Sequence, residues 1–178
     1  VSHADADLRG LVVEIPDFPR PGILFRDLLP LLAHPDALHR VVEELATFAE
    51  PLRPDLILGL EARGFLFGPA LAHRLGCGFV PARKAGKLPG EVHAAAYALE
   101  YGEDALELSR DAVPAGARVL LHDDLLATGG TAAAGLELAR RAGGAPVGAC
   151  FVAELRGLGG RAVLGELPTA ALIAYDGA

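Results

Sequence analysis

The sequence predicts an α/β fold whose central, mainly parallel sheet is flanked by helices on both faces. Three observations predict it: apolar runs of strand length recur along the chain, helical patterns separate them, and glycine or proline punctuates the junctions. Parallel neighbours need a crossover connection, which a helix supplies. With 178 residues and 52% hydrophobic content, the chain can bury one sizeable core and has the usual size of one domain. Residues 1–178 are therefore expected to form a single unit.

Asp36 to Ala49 carries Leu38, Val41, Val42, Leu45, Phe48 and Ala49 at helical spacing between Pro35 and Pro51, the pattern of an amphipathic helix. Asp55 to Leu60 reads as a strand, followed by a loop and a helix from Gly64 to Leu75 that Gly76 stops. Gly78 to Arg83, Val119 to His122, Pro146 to Glu154 and Ala170 to Tyr175 read as further strands, with an alanine-rich helix from Thr131 to Ala142. One region breaks the rhythm. Lys84 to Gly90, rich in glycine, lysine and proline, predicts a flexible loop; Ala95 to Tyr101 and Ala105 to Arg110, joined by Gly102-Glu103-Asp104, predict a hairpin.

The net charge of −7 disfavours nucleic acid and anionic membrane as partners, so an anionic substrate requires a local cationic group. No apolar stretch approaches the roughly 20 residues of a membrane span, and the first residues lack the pattern of a signal peptide. A cytoplasmic protein without membrane contact is the expectation. Cys77 and Cys150 fit neither a disulfide framework nor metal-ligand spacing.

Chemistry concentrates in Val119-Leu-Leu-His-Asp-Asp-Leu-Leu-Ala-Thr-Gly-Gly-Thr131, a strand that ends in paired carboxylates and a glycine turn opening a helix. At the carboxyl end of a strand in an open α/β sheet, Asp123 and Asp124 are placed to accept hydrogen bonds from sugar hydroxyls. Ala127, Thr128, Gly129, Gly130 and Thr131 offer backbone N–H groups, two hydroxyls and a helix N-terminus to one phosphate. Neither G-x-x-x-x-G-K-[ST] nor G-x-G-x-x-G is present. Arg83, Lys84 and Lys87 form the one tight cationic group of this acidic chain.

This thirteen-residue pattern resembles the phosphoribosyl pyrophosphate signature of type I phosphoribosyltransferases. Pro16-Asp-Phe-Pro-Arg-Pro-Gly-Ile-Leu-Phe-Arg-Asp27, Gly59-Leu-Glu-Ala-Arg-Gly-Phe-Leu-Phe-Gly68, Arg83-Lys-Ala-Gly-Lys-Leu-Pro-Gly90 and Tyr97-Ala-Leu-Glu-Tyr-Gly102 are similar to adenine phosphoribosyltransferase motifs, in that family's order. The resemblance implies the type I phosphoribosyltransferase fold, with a small N-terminal hood over about 12–35 and a flexible loop plus β-hairpin over about 84–110. It implies that adenine and phosphoribosyl pyrophosphate give AMP and pyrophosphate in purine salvage, with Mg²⁺ arriving on the substrate rather than held directly by the protein. It also implies a homodimer in which the stretch near Arg83 approaches the neighbour's site.

The resemblance assigns roles residue by residue. Glu61, Ala62 and Arg63 match the pyrophosphate loop, whose backbone commonly includes a cis peptide, here Glu61-Ala62; Arg83, Lys84 and Lys87 match its basic partners. Phe25 and Arg26 match the adenine site, with Leu126 as the opposite apolar wall. Glu100 matches the carboxyl that manages a proton at the purine imidazole edge, and Tyr101 closes the loop. Arg63, Asp123 and Asp124 join Glu100 in the chemistry. His122 departs from the family's aliphatic residue and reads as a buried histidine against the core. Glu154-Leu-Arg-Gly-Leu-Gly-Gly-Arg161 reads as a glycine-dense surface turn. A transferase for xanthine or hypoxanthine would keep Asp123 to Thr131 and change the hood around Phe25. A nonenzymatic phosphoribosyl-pyrophosphate sensor would need a DNA-binding module or a basic face, which the composition does not offer.

Overall fold

A computed structural model describes residues 8–98 and 103–177. The chain opens with an antiparallel ribbon, β1 (Val13–Pro16) and β2 (Leu24–Asp27), then the short α1 (Leu29–Ala33) and the long α2 (Pro35–Ala49). α2 begins at Pro35, one residue before the expected start, because a proline at the first helical position gives up only an N–H that has no intrahelical partner. The His34 ring accepts the Ala37 N–H as its cap.

β3 (Leu56–Leu60), α3 (Gly64–Leu75), β4 (Gly78–Lys84), β5 (Val92–Ala98), β6 (Glu103–Ser109), β7 (Arg118–Leu126), α4 (Gly130–Arg141), β8 (Ala145–Leu155), α5 (Gly160–Leu164) and β9 (Thr169–Tyr175) follow. The seven-stranded sheet has the order β5-β6-β4-β3-β7-β8-β9. Its five strands from β4 to β9 run parallel; β6 and β5 extend the β4 edge antiparallel. This is the α/β architecture the sequence predicts, a mainly parallel central sheet flanked by helices.

The connection order positions the site. From β3 the chain crosses through α3 to β4 on one side, and from β7 through α4 to β8 on the other. Right-handed crossovers in opposite directions put their helices on opposite faces. Accordingly α2 and α3 cover a core containing Ile57, Leu71, Leu120 and Val152, while α4 covers one containing Leu58, Leu121, Leu136 and Phe151. The strand order reverses between β3 and β7, and the crevice beyond their carboxyl ends is where open sheets of this kind bind ligands.

Two expectations shift. β7 runs on through the acidic pair to Leu126, four residues past His122, because Asp123, Leu125 and Leu126 pair with Phe151, Ala153 and Glu154 of β8. Glu103 and Asp104 lie in β6 rather than in the hairpin turn: Asp104 stands opposite Tyr97, accepts its hydroxyl at 3.3 Å and pairs with Lys84 Nζ at 3.0 Å. Partners from two other strands override the weak strand propensity of an aspartate. Within Lys84 to Gly90, a turn is pinned by the Lys87 N–H on the Lys84 carbonyl and the Gly86 N–H on Glu107.

Candidate active site

Alternation along β7 builds the centre of the site. Val119 and Leu121 enter the core under α4 and Leu120 enters the core under α3, so the period of two sends Asp123 and Asp124 to opposite faces as well. Asp123 borders a cleft with Thr128, Gly129 and Thr131. Asp124 borders another with Ile15, Phe18, Phe25 and Leu66. A third opening, lined by Glu61, Ala62, Tyr97, Asp123 and Asp124, joins them, and Arg63 lines all three. One strand end thus serves two compartments.

The β3–α3 loop reaches this strand because of Gly64. A Cβ there would lie 2.6 Å from the His122 carbonyl oxygen and 3.3 Å from Asp123 Cα, so any side chain would drive the loop off β7. The Glu61–Ala62 peptide is cis. Arg63 Nε lies 2.7 Å from Asp124 Oδ2, and its guanidinium stands 5.7 Å from the centroid of the Phe25 ring. Arg63 therefore links the acidic pair to the β1–β2 ribbon.

The two carboxylates share a partly closed space. Burial and the negative charge of Asp124 hold the Asp123 carboxyl well above the usual carboxylate range. Burial also raises Asp124, but the Arg63 guanidinium opposes that rise, so Asp124 keeps the negative charge more readily. The Asp124 N–H donates to Asp123 Oδ1 at 2.9 Å, which fixes the first carboxylate on its own backbone.

Beyond Leu126 the chain turns into α4. Gly129 takes a left-handed φ of 85° and caps α4 with no side chain, which leaves the first-turn N–H groups open to an anion. Thr128 and Thr131 stand on either side of this opening, both on the cleft that Asp123 borders.

The Phosphoribosyl transferase domain family matches residues 33–161. The adenine phosphoribosyltransferase of Synechococcus sp. (strain CC9902) is 55% identical over 174 residues, covering 97% of this chain and 99% of that protein. The crystal structure of adenine phosphoribosyltransferase from Thermoanaerobacter pseudethanolicus superposes with a TM-score of 0.92 at 48% identity, covering 94% of this chain and 98% of that one. The enzyme from Saccharomyces cerevisiae, complexed with an imino-altritol bisphosphate and adenine, superposes at 0.89 with 44% identity, covering 93% and 96%. The chain belongs to the adenine phosphoribosyltransferase family.

Set against that family's chemistry, most residues expected at the site converge, and several do so differently than expected. Glu61 does not project its carboxylate into the crevice: Oε2 accepts the Lys84 N–H at 2.6 Å and lies 3.2 Å from Arg83 Nε. Burial would raise its pKa, but these donors hold it below the ordinary value. Its side chain fastens the β3–α3 loop to the end of β4. Lys84 is likewise paired, with Asp104.

Leu126 is corrected. At 1% exposure it belongs to the core under α4, at the foot of the cleft that Thr128 and Thr131 border, whereas the cleft beside Phe25 is walled by Leu66 and Arg63. Strict alternation would put Leu126 on the side of Asp124 and Phe25; instead the pattern slips by one residue, with Leu125 packed against the core under α2 and α3 and Leu126 in the core under α4, away from Phe25. Glu100 and Tyr101 lie outside the described residues.

Sequence reasoning missed the support of the loop between β7 and α4. The glycine-dense segment is more than a surface turn: a Cβ on Gly160 would collide with the Ala127 carbonyl oxygen and lie 3.0 Å from the Gly129 nitrogen. α5 packs backbone against backbone on the loop. It is held there by Arg161, which donates to both oxygens of the buried Glu154 and, at 2.8 Å, to the Thr169 carbonyl. Its signal was the excess of glycine between Glu154 and Arg161. Gly160→Ala should raise the KM for phosphoribosyl pyrophosphate by about 10-fold or more, the loss of one charged hydrogen bond, while leaving the adenine KM within about twofold. Steady-state kinetics with each substrate varied in turn checks it.

His122 is buried, as expected. Its Nδ1–H donates to the Cys150 carbonyl at 3.1 Å, and Nε2 is buried with no hydrogen-bond partner among the described residues. Burial lowers its pKa to about 4 from the ordinary 6.5. The unfolded chain thus takes up this proton more readily than the folded one, so the contribution is complete above pH 6.5 and is lost as pH falls toward 4. Between pH 7 and 4.5 the loss is about 2 kcal/mol. The buried aspartates act in the opposite sense, so the comparison is with His122→Leu: urea midpoints should show the variant losing less stability over this interval than the parent.

Proposed function

We propose that this chain transfers the phosphoribosyl group of phosphoribosyl pyrophosphate to N9 of adenine, yielding AMP and pyrophosphate for purine salvage. It would do so as one phosphoribosyltransferase domain over residues 1–178, with the ribbon region 12–35 as hood and 84–110 as loop and hairpin. The observation that carries the reading is the junction of β7 with α4, where two carboxylates on opposite faces of one strand run directly into an uncapped helix N-terminus.

The residues divide the substrate between them. Thr128, Thr131 and the N–H groups of residues 127–131 take the 5′-phosphate. Asp123 and Asp124 accept the ribose hydroxyls. Arg63, with the backbone of Glu61 and Ala62 and the cations of Arg83, Lys84 and Lys87, takes the pyrophosphate, where negative charge concentrates as the bond to C1 breaks. Positive charge develops on the ribose at the same moment, and the acidic pair faces it. Phe25 stacks on adenine while the backbone around Arg26 reads its edge. The N9–C1 bond forms as the pyrophosphate leaves with its electron pair, and the proton adenine gives up passes to Glu100.

Two carboxylates, one already held by Arg63, suit a hard, partly hydrated Mg²⁺ whose other ligands are substrate oxygens and water. Asp123 and Asp124 would hold the ion through water and the ribose hydroxyls; bound there, it neutralises the leaving group. Incubation of adenine, phosphoribosyl pyrophosphate and Mg²⁺ should release AMP and pyrophosphate, and chelation should abolish the release. Full activity after exhaustive chelation would contradict the metal requirement.

The chain works as a cytoplasmic homodimer in this reading, with Arg83 serving the partner's site as well as bracing Glu61 of its own chain. Inactive Asp124→Asn and Arg83→Ala subunits should regain activity when co-assembled. A fully active monomer in sedimentation would contradict shared sites.

A further inference from the structure

The β1–β2 ribbon has two strands, all of β1 is exposed, and such a ribbon is marginal by itself. Something outside it must set how it faces the crevice. Phe25 and Arg26 are successive residues of β2, so their side chains leave opposite faces of the strand. The Arg26 side chain is only 6% exposed, and its Cζ lies 4.2 Å from the centroid of the Tyr175 ring, the last residue of β9. Its Nε and Nη1 are buried without a hydrogen-bond acceptor among the described residues. Nε is 3.4 Å from Glu14 Oε1, the residue directly across the ribbon, but Glu14 is half exposed. The guanidinium is therefore held chiefly by the ring face, an attraction that desolvation strengthens. Tyr175 is itself fixed: it is 8% exposed, pairs with Leu155 of β8, and has Arg9 at 4.8 Å, with the Arg9 Nη2 on the Ala174 carbonyl.

We infer that Arg26 stacked on Tyr175 is a clamp that fixes the rotation of β2 about its own axis, making Tyr175 a positioning residue for the base although it touches no substrate. Anchoring one face of β2 orients the Phe25 ring on the other and the backbone groups between them. The inference rests on the reading that adenine lies against Phe25. Its consequence is selective, because the phosphate cleft and the acidic pair stand on β7 and α4, which the clamp does not touch.

The test is steady-state kinetics with adenine and phosphoribosyl pyrophosphate varied separately. Tyr175→Leu should raise the adenine KM about 10-fold, equivalent to about 1.4 kcal/mol, with the phosphoribosyl pyrophosphate KM and kcat within about twofold. Tyr175→Phe keeps the ring face and should restore the parent value. Should Tyr175→Leu fail to fold, Arg26→Met, which keeps the stem and removes the guanidinium, carries the same expectation. An unchanged adenine KM, or equal changes in both KM values, overturns the clamp. Phe25→Ala separates the two levels: if it raises the adenine KM while Tyr175→Leu does not, the clamp alone falls, and if neither moves it, the base site falls too.

Discussion

Glu100→Gln should lower kcat by about 10² to 10⁴, the usual contribution of a general acid–base group, with little change in the KM for phosphoribosyl pyrophosphate. The amide keeps the shape of the carboxylate and its capacity to accept a hydrogen bond, but it cannot take the proton that adenine loses as N9 bonds to C1. The interaction lost belongs to the transition state, so the effect falls on kcat. Thr128→Ala and Thr131→Ala provide the contrast. Their hydroxyls stand on the phosphate cleft and would act before as well as during the reaction, so those variants should raise KM and spare kcat. If Glu100→Gln keeps the parent kcat while single-turnover measurements show chemistry to be rate-limiting, another group handles the proton.

Asp124→Asn is expected to lower kcat/KM for phosphoribosyl pyrophosphate by about 10² to 10³, comparable to removing one oriented charge-stabilising group from an active site. Asp124 is 4% exposed, and Arg63 Nε lies 2.7 Å from its Oδ2. The amide removes a charged acceptor from the ribose and a counter-charge from the sugar as it becomes cationic. It also releases Arg63 from the ion pair that orients it, so the guanidinium would no longer approach the proposed pyrophosphate position from a fixed direction. Residues that act through one another are not additive. Adding Arg63→Gln to Asp124→Asn should therefore cost much less than the two single losses combined. Full additivity would mean that the pair does not act as a unit.

The parts of this site legible in the sequence are those whose physics is local. A strand, two acids and a glycine turn opening a helix are contiguous, and contiguity made Asp123 to Thr131 legible as the candidate phosphate and sugar site. The five parallel strands were legible because burial on both faces leaves continuous apolar runs, and the boundaries drifted only where partners from elsewhere decided, as at Asp104 and along Asp123 to Leu126. Leu126 was misassigned because a motif read as a string hides which side of the sheet each residue leaves. Glu61 was read by position alone, and only the approach of β4 shows its carboxylate turned to Arg83 and Lys84. Gly160 against Gly129, and Arg26 on Tyr175, join segments far apart in the chain; the glycine excess marks one side of the first contact, and nothing local announces the second.

The crevice between β3 and β7 is expected to join phosphoribosyl pyrophosphate to adenine rather than to another purine. A panel of adenine, hypoxanthine, guanine and xanthine, each supplied with phosphoribosyl pyrophosphate and Mg²⁺ while pyrophosphate release is followed, tests it most directly. Turnover with adenine, with AMP as the product and the other bases inert at the same concentration, is the predicted result; turnover with hypoxanthine or xanthine but not with adenine would contradict it.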